Sequence, residues 1–161
     1  MRQTEFLFRP ATDEDVPFME TILLEAAEAS GVRIEPCKLD ENPDTAKYVR
    51  GWPQAGEVGI IAEASTGHRV GAAWIRSFSH LNPESGELAP EITVGIAPDY
   101  RRKGIAALLM DELYREAKTQ GWKNLSLGVH QGNNAAIRLY QKQGWVESGI
   151  YEEYILMLKK L

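Results

Sequence analysis

The stretch Val94-Gly95-Ile96-Ala97-Pro98-Asp99-Tyr100-Arg101-Arg102-Lys103-Gly104-Ile105-Ala106 carries the most specific chemistry in the chain. An apolar run enters a tight turn at Pro98, and a helix opens around Gly104. A helix start leaves backbone N–H groups unpaired and carries partial positive charge. A diphosphate satisfies both. Gly104 and Ala106 keep the surface low enough for an anion to reach the backbone. Arg101, Arg102 and Lys103 gather positive charge in a chain whose net charge is −5. The plainer alternative is a helix preceded by basic residues that bind nothing. Two other phosphate loops are excluded, because the turn has neither G-x-x-x-x-G-K-[ST] nor G-x-G-x-x-G.

The elements that would position this turn can be read from periodicity and punctuation. Residues 5–9 alternate enough for a first strand. Asp13 is the expected cap of a first helix, since residues 11–15 load its start with acceptors and negative charge. Val16, Met19, Ile22, Leu23, Ala26 and Ala27 follow at helical spacing, and Ser30-Gly31 ends the run. Residues 31–56 lack a clear period. Within them 37–42 read as loop, 45–49 as a short helix and 51–56 as irregular, because Gly and Pro punctuate the last stretch. Residues 58–64 and 70–78 read as strands joined by a turn at 65–68, followed by a polar loop over 79–88. A strand over 91–97 leads into the clearest helix, 104–120, whose apolar members Ile105, Leu108, Leu109, Leu113 and Ala117 share one face. A strand over 125–129, a helix over 133–143 and a strand over 154–158 complete the order, with room for one more strand near Val146. The order β-α-α-β-β-β-α-β-α-β predicts an α/β or α+β layered domain with a mixed sheet. Residues 1–161 are read as a single domain, a length that can bury a real core.

Two blocks of this sequence then carry a resemblance. Residues 96–106 follow V-x-P-x-x-R and [RQ]-x-x-G-x-[GA], with Ile96 in place of Val. Downstream, Asn133-Asn134-Ala135-Ala136-Ile137-Arg138-Leu139-Tyr140-Gln141-Lys142-Gln143-Gly144-Trp145 follows N-x-x-A-x-x-[LF]-Y-x-x-x-G-[FW]. The chain resembles the GNAT acetyltransferases, whose acetyl-CoA signatures are these two blocks in this order. The resemblance implies a mixed, mostly antiparallel central sheet with helices on both faces. It implies transfer of an acetyl group from acetyl-CoA to a primary amine of a small molecule or peptide, by direct attack and with no metal. It assigns the coenzyme A diphosphate to the turn and helix start, at Arg101, Arg102, Lys103, Gly104, Ile105, Ala106 and Ala107. The arm of the cofactor is implied to pair with the strand at Val94, Gly95 and Ile96, with an oxyanion held by a backbone N–H near Ile96. Gly95 suits either a bulge in that strand or close packing against a helix. Asn133 matches an asparagine that caps the fourth helix and contacts the arm. Tyr140 matches a tyrosine that protonates the departing thiolate; the alternative is an aromatic core residue.

An alkyl ammonium must lose a proton before its nitrogen attacks. Glu91 opens the strand leading to the turn, at a position where similar sequences often carry an acidic residue, and is the first candidate for the base. A solvated strand end is the alternative. The glutamate that some members carry five residues before the matching asparagine is Gly128 here. His130 is a second candidate for base or substrate contact, because imidazole titrates near neutrality. His68 and His80 read as structural or surface residues. On the acceptor side Trp52, in its Gly/Pro loop, either walls the acceptor pocket or anchors the loop in the core. Glu35 and Asp40 would suit a cationic amine, although surface charge accounts for them equally well. Cys37 reads as a passive loop residue.

Composition bounds the alternatives. Hydrophobic residues make up 43% and charged residues 25%, an ordinary soluble balance. A pI of about 5.3 argues against nucleic acid as a partner. No apolar run has membrane-spanning length, and the start lacks the pattern of a secretory signal. A single cysteine fits the cytoplasm. No Cys/His cluster has metal-ligand spacing. A homodimer through the last strands is compatible with the sequence. The rival function is a non-catalytic acyl-CoA-binding module, a sensor or interaction domain, which would bind acetyl-CoA and release no thiol.

Overall fold

Alternating and continuous apolar runs pair into one seven-stranded sheet, and the amphipathic segments cover its two faces. A computed structural model describes residues 5–78, 81–83 and 85–161. The strands are β1 (Phe6–Pro10), β2 (Gly59–Ala64), β3 (Arg69–Arg76), β4 (Glu91–Ile96), β5 (Asn124–His130), β6 (Val146–Tyr151) and β7 (Tyr154–Lys160). The helices are α1 (Val16–Ala29), α2 (Pro43–Ala46), α3 (Ile105–Thr119) and α4 (Asn134–Lys142). The strand order is β1-β2-β3-β4-β5-β7-β6. All pairings are antiparallel except β4 with β5. This is the mixed, mostly antiparallel sheet expected.

Side-chain alternation splits the core in two. Ile60, Ala62, Ala73 and Ile75 face α3 and α4, packing with Leu109, Leu113 and Tyr140. Ile61, Ala72 and Trp74, their neighbours in sequence, face α1 and pack with Met19 and Ile22. Leu109, Met110 and Leu113 are fully buried, and each such side chain contributes roughly 1.5–3 kcal/mol.

The start of α1 differs from expectation: Asp15, not Asp13, is the cap residue of α1, and the 3-10 turn over Asp13–Asp15 that precedes it is capped by Thr12. Its Oγ1 accepts from Glu14 N at 3.3 Å, and Asp15 Oδ2 accepts from Thr12 N at 2.8 Å. Asp15 also accepts from Arg9 and Arg69 at 2.8 and 2.7 Å, so one buried carboxylate ties the helix start to β1 and β3. The loop after α1 is more ordered than its sequence suggests. A 3-10 helix covers Pro36–Glu41, and α2 sits at Pro43–Ala46 rather than 45–49. The further strand near Val146 is present as β6. Its residues are all exposed, so no buried alternation marked it.

The feature that positions the site is the β4–β5 junction. Their parallel ladder has one register pair, Glu91↔Ser126, reinforced by Ser126 N donating to Pro90 O at 2.9 Å. Beyond it no register pair joins the two strands among the described residues. On its other side β4 pairs with β3 without interruption from Arg76↔Glu91 to Gly71↔Ile96.

Candidate active site

At the end of β4, a 3-10 turn over Pro98–Tyr100 leads to the start of α3. Arg102 and Gly104 both adopt left-handed backbone, at φ 63° and 79°. Alternation of this kind turns successive N–H groups toward one concavity, an anion-binding nest. Gly104 is the cap residue of α3, and no side chain caps this end. The N–H groups of Ile105, Ala106 and Ala107 have no carbonyl within the helix to bond. A Cβ on Gly104 would meet no atom within 4 Å, so the approach to these amides is open. Arg102 and Lys103 are exposed beside it. Arg101 braces the turn: its Nε donates to Ile96 O at 3.1 Å, and its Nη2 lies 3.8 Å from Glu25 Oε2. The Ile105 side chain is 1% exposed and belongs to the core, so only its backbone faces the concavity.

Val94, Gly95 and Ile96 lie on the part of β4 that has left β5. The unbroken register with β3 contains no bulge at Gly95. Gly95 is instead a close-packing site, since a Cβ there would stand 2.5 Å from Ile22 Cγ2 on α1. This decides between the two readings of that glycine.

On the α3 side of the sheet, Asn133 caps α4 by accepting from Ala136 N at 3.2 Å. Tyr140 follows on the helix, 9% exposed, with Trp145 6.1 Å away. Burial pushes its phenol up to about 12. Among the described residues its hydroxyl has no hydrogen-bond partner. The end of α4 is tied to the first turn of α3 by a polar chain. Trp145 Nε1 donates to Tyr114 Oη at 2.8 Å, Tyr114 donates to Gln143 Oε1 at 2.5 Å, and Gln143 Nε2 donates to Ala107 O at 3.3 Å. Tyr140 is therefore held in fixed relation to the open helix start. The types of Tyr114 and Gln143 gave no sequence signal for this role.

Glu91 lies at the β4–β5 junction and lines a small cavity with Ser126, Leu127, Leu156 and Leu158. Burial and the charge of Glu91 together push the Tyr48 phenol above its ordinary range. His130 ends β5, where Nδ1 accepts from Gly132 N at 3.1 Å and Nε2 lies 3.4 Å from Glu153 Oε2. The edge of its ring meets Tyr154 at 5.6 Å.

Trp52 is 5% exposed and donates from Nε1 to Ile75 O at 3.2 Å, the placement of a loop anchor. Asp40 is engaged with Arg50 at 2.5 Å, and Glu20 pairs with the same guanidinium. Glu35 lies across from Glu20, Glu25 and Glu28 in a groove between α1 and residues 33–36. His68 and Cys37 are exposed, and His80 lies outside the described residues. Among the described residues, no group of three or more His, Cys, Asp or Glu is arranged to hold a metal ion, and no helix is long and apolar enough to cross a membrane.

Comparison with known proteins agrees with this geometry. The acetyltransferase (GNAT) family pattern matches residues 21–145. The ribosomal protein bS18-alanine N-acetyltransferase of Salmonella typhimurium is 36% identical over 61 residues, 38% of this chain and 41% of that protein; the match thus spans about two fifths of the length of the curated relatives. The crystal structure of a ribosomal-protein-alanine N-acetyltransferase from Brucella melitensis superposes with a TM-score of 0.70 at 26% identity, covering 96% of this chain and 99% of that one. A phosphinothricin acetyltransferase from Sinorhizobium meliloti, solved with acetyl-CoA, shares the fold with a TM-score of 0.71 at 17% identity over 98% of this chain and 89% of that one. The family match runs through both the turn at the start of α3 and the Asn133–Trp145 block, and the chain belongs to the acetyltransferase (GNAT) family.

Proposed function

We propose that this chain transfers an acetyl group from acetyl-CoA to a primary amine of a small molecule or peptide. The observation that carries this reading is the juxtaposition of an open, uncapped α3 start with a buried phenol on α4, linked by the Gln143–Ala107 bond. Acetyl-CoA, when bound, supplies an acyl group activated as a thioester. The amides of residues 102–107 suit its diphosphate, with Arg102 and Lys103 adding charge. The edge of β4 at Val94, Gly95 and Ile96, which β5 does not cover, suits the arm as an added strand, and Asn133 borders it. A backbone N–H near Ile96 can polarise the carbonyl, an effect that usually outweighs any one side chain.

Glu91 takes the proton that the amine gives up, and Tyr140 supplies the proton that the leaving sulfur takes. A phenol held near 12 stays protonated throughout the working range, so the donor is always loaded. Desolvation raises the affinity of a thiolate for protons as well, which narrows the mismatch between donor and acceptor. On the acceptor side, Glu25, Glu28 and Glu35 give the groove beside α1 an acidic wall that favours a cationic amine. His130 stands as a further substrate contact, and Trp52 supports the wall from within the core. The exposed edge of β6, with Val146, Ile150 and Tyr151, is the surface a homodimer would use, and sedimentation equilibrium reads it directly.

The test is thiol release from acetyl-CoA with a panel of polyamines, amino acids, aminoglycosides and peptides with free N-termini. Release that depends on one class of amine supports the reading and names the acceptor. Tight acetyl-CoA binding with no release for any class replaces it with a binding module.

A further inference from the structure

The turn between β5 and α4 is closed by a side chain that neither signature block contains. Three consecutive N–H groups cross this turn, and each has a partner. Gln131 N donates to Glu153 O at 2.9 Å, Gly132 N to His130 Nδ1 at 3.1 Å, and Asn133 N to His130 O at 2.9 Å. The middle bond is the only one of the three that a side chain accepts. Asn133 then accepts from Ala136 N at 3.2 Å and opens α4. This helix start is capped by a side chain, in contrast with the open start of α3.

The His130 ring is held in place for this bond. An N–H donor at Nδ1 needs a lone pair there, which puts the proton of the neutral ring on Nε2. Nε2 in turn faces Glu153 Oε2, an acceptor, at 3.4 Å. The ring meets Tyr154 edge-on, with centroids 5.6 Å apart. A Cβ on Gly132 would stand 3.2 Å from Nδ1, so ring and turn fit closely and residue 132 has no side chain to hold them apart.

We infer that His130 is a positioning residue for the cofactor: its neutral imidazole accepts from Gly132 N–H, fixes the 130–133 turn and so sets Asn133 against the acetyl-CoA arm. The inference rests on the reading of Asn133 and α4 as part of the acetyl-CoA site. Residues 131–133 are exposed, so without the ring water would take the Gly132 N–H and the turn would sample other shapes. A turn already ordered in the free chain adds no ordering cost when the ligand binds. With its lone pair engaged, the ring has none left for an amine proton. Protonation undoes the arrangement. An imidazolium carries N–H on both nitrogens and offers no lone pair, so Gly132 N–H then meets a donor. The titratable groups in contact with the ring are Glu153, in the turn between β6 and β7, and Tyr154 on β7. The first turn of α4 brings no acidic side chain. The Glu153 carboxylate favours the charged ring, and Gly132 N–H favours the neutral one. Acetyl-CoA affinity is thereby coupled to the neutral ring and declines on acidification.

The experiment titrates acetyl-CoA into the full-length wild type, His130→Ala and His130→Asn by calorimetry between about pH 5 and pH 8. Thiol release with the best amine of the panel is measured beside it. Asparagine offers a carbonyl oxygen that bonds the N–H two residues on and does not titrate. His130→Ala should bind acetyl-CoA about 3–10-fold more weakly at neutral pH, the contribution of one hydrogen bond. His130→Asn should regain that affinity and keep it on acidification, whereas the wild type loses it. The ligand's own phosphate titrates alike for all three proteins, so the difference between them reads residue 130. Wild-type affinity in His130→Ala overturns the role of His130. An acid decline in His130→Asn that matches the wild type overturns it as well, while amine-dependent thiol release still supports the transferase reading. Absence of both acetyl-CoA binding and thiol release in the wild type removes that reading and the inference together.

Discussion

Gly95 on β4 and Ile22 on α1 approach so closely that a Cβ on Gly95 would stand 2.5 Å from Ile22 Cγ2. The contact seats α1 on the strand whose far edge is read as the cofactor platform. Gly95→Ala must shift one of the two elements, at a cost of about 1–3 kcal/mol for overpacking. Ile22→Ala in the same chain removes the clashing atom. Urea unfolding should therefore show the double variant less destabilised than the sum of the single changes. Simple additivity would mean that Gly95 is required for a reason other than this contact.

The α3 start makes a prediction with an internal control. Gly104 and Gly31 both adopt left-handed backbone with open space where a Cβ would sit. Alanine costs about 1–2 kcal/mol of backbone strain at either position. Only Gly104→Ala should raise KM for acetyl-CoA several-fold, because only there does the methyl group stand in the open approach that a diphosphate would take to the free amides. Equal KM values for the two variants would detach the helix start from the cofactor.

Asp15 sets an acid limit to stability. Burial alone would raise its carboxyl, but hydrogen bonds from Arg9, Thr12 N–H and Arg69 outweigh that and hold it well below the usual carboxylate range. A carboxyl depressed in the folded state adds stability that is fully present above the unfolded value of about 3.9 and is lost as pH falls through the folded value. Asp15→Asn should cost roughly 2 kcal/mol at neutral pH and flatten the loss of stability below about pH 4. An unchanged acid slope in the variant would show that other carboxylates govern that loss.

Tyr140→Phe removes one oxygen and little packing. Its kcat should fall roughly 100-fold or more, within the usual range for a lost general acid, while KM for acetyl-CoA changes little. Wild-type kcat in this variant would leave water or another group as the proton donor.

The sequence made the catalytic half of the fold readable because its signals are local. A strand, a Pro-marked turn and a glycine-led amphipathic helix lie within one window, and Asn133 announces α4 as a cap. The acceptor half was obscure for the opposite reason. The bonds from Trp74 to Tyr48 O, from Arg76 to Arg50 O and from Trp52 to Ile75 O join positions far apart in the chain, and no period or spacing encodes them. Trp52 and Gly95 each allowed two readings that only tertiary contacts could separate. β6 escaped clear assignment because its solvent-facing residues show no buried face, and the 3-10 helix at Pro36–Glu41 is too short to establish a period. The 3-10 turn that Thr12 caps before α1 is obscured because three carboxylates crowd its positions.

The central claim is direct transfer to an amine, and the most direct measurement follows the acetyl group itself. Deuterated acetyl-CoA is incubated with the protein and the best amine of the panel, and mass spectrometry is applied to both amine and protein. The account predicts labelled acetyl on the amine in one-to-one proportion with released thiol, with none on Cys37 or any other side chain. Stoichiometric binding of acetyl-CoA with no labelled amine and no released thiol would contradict it.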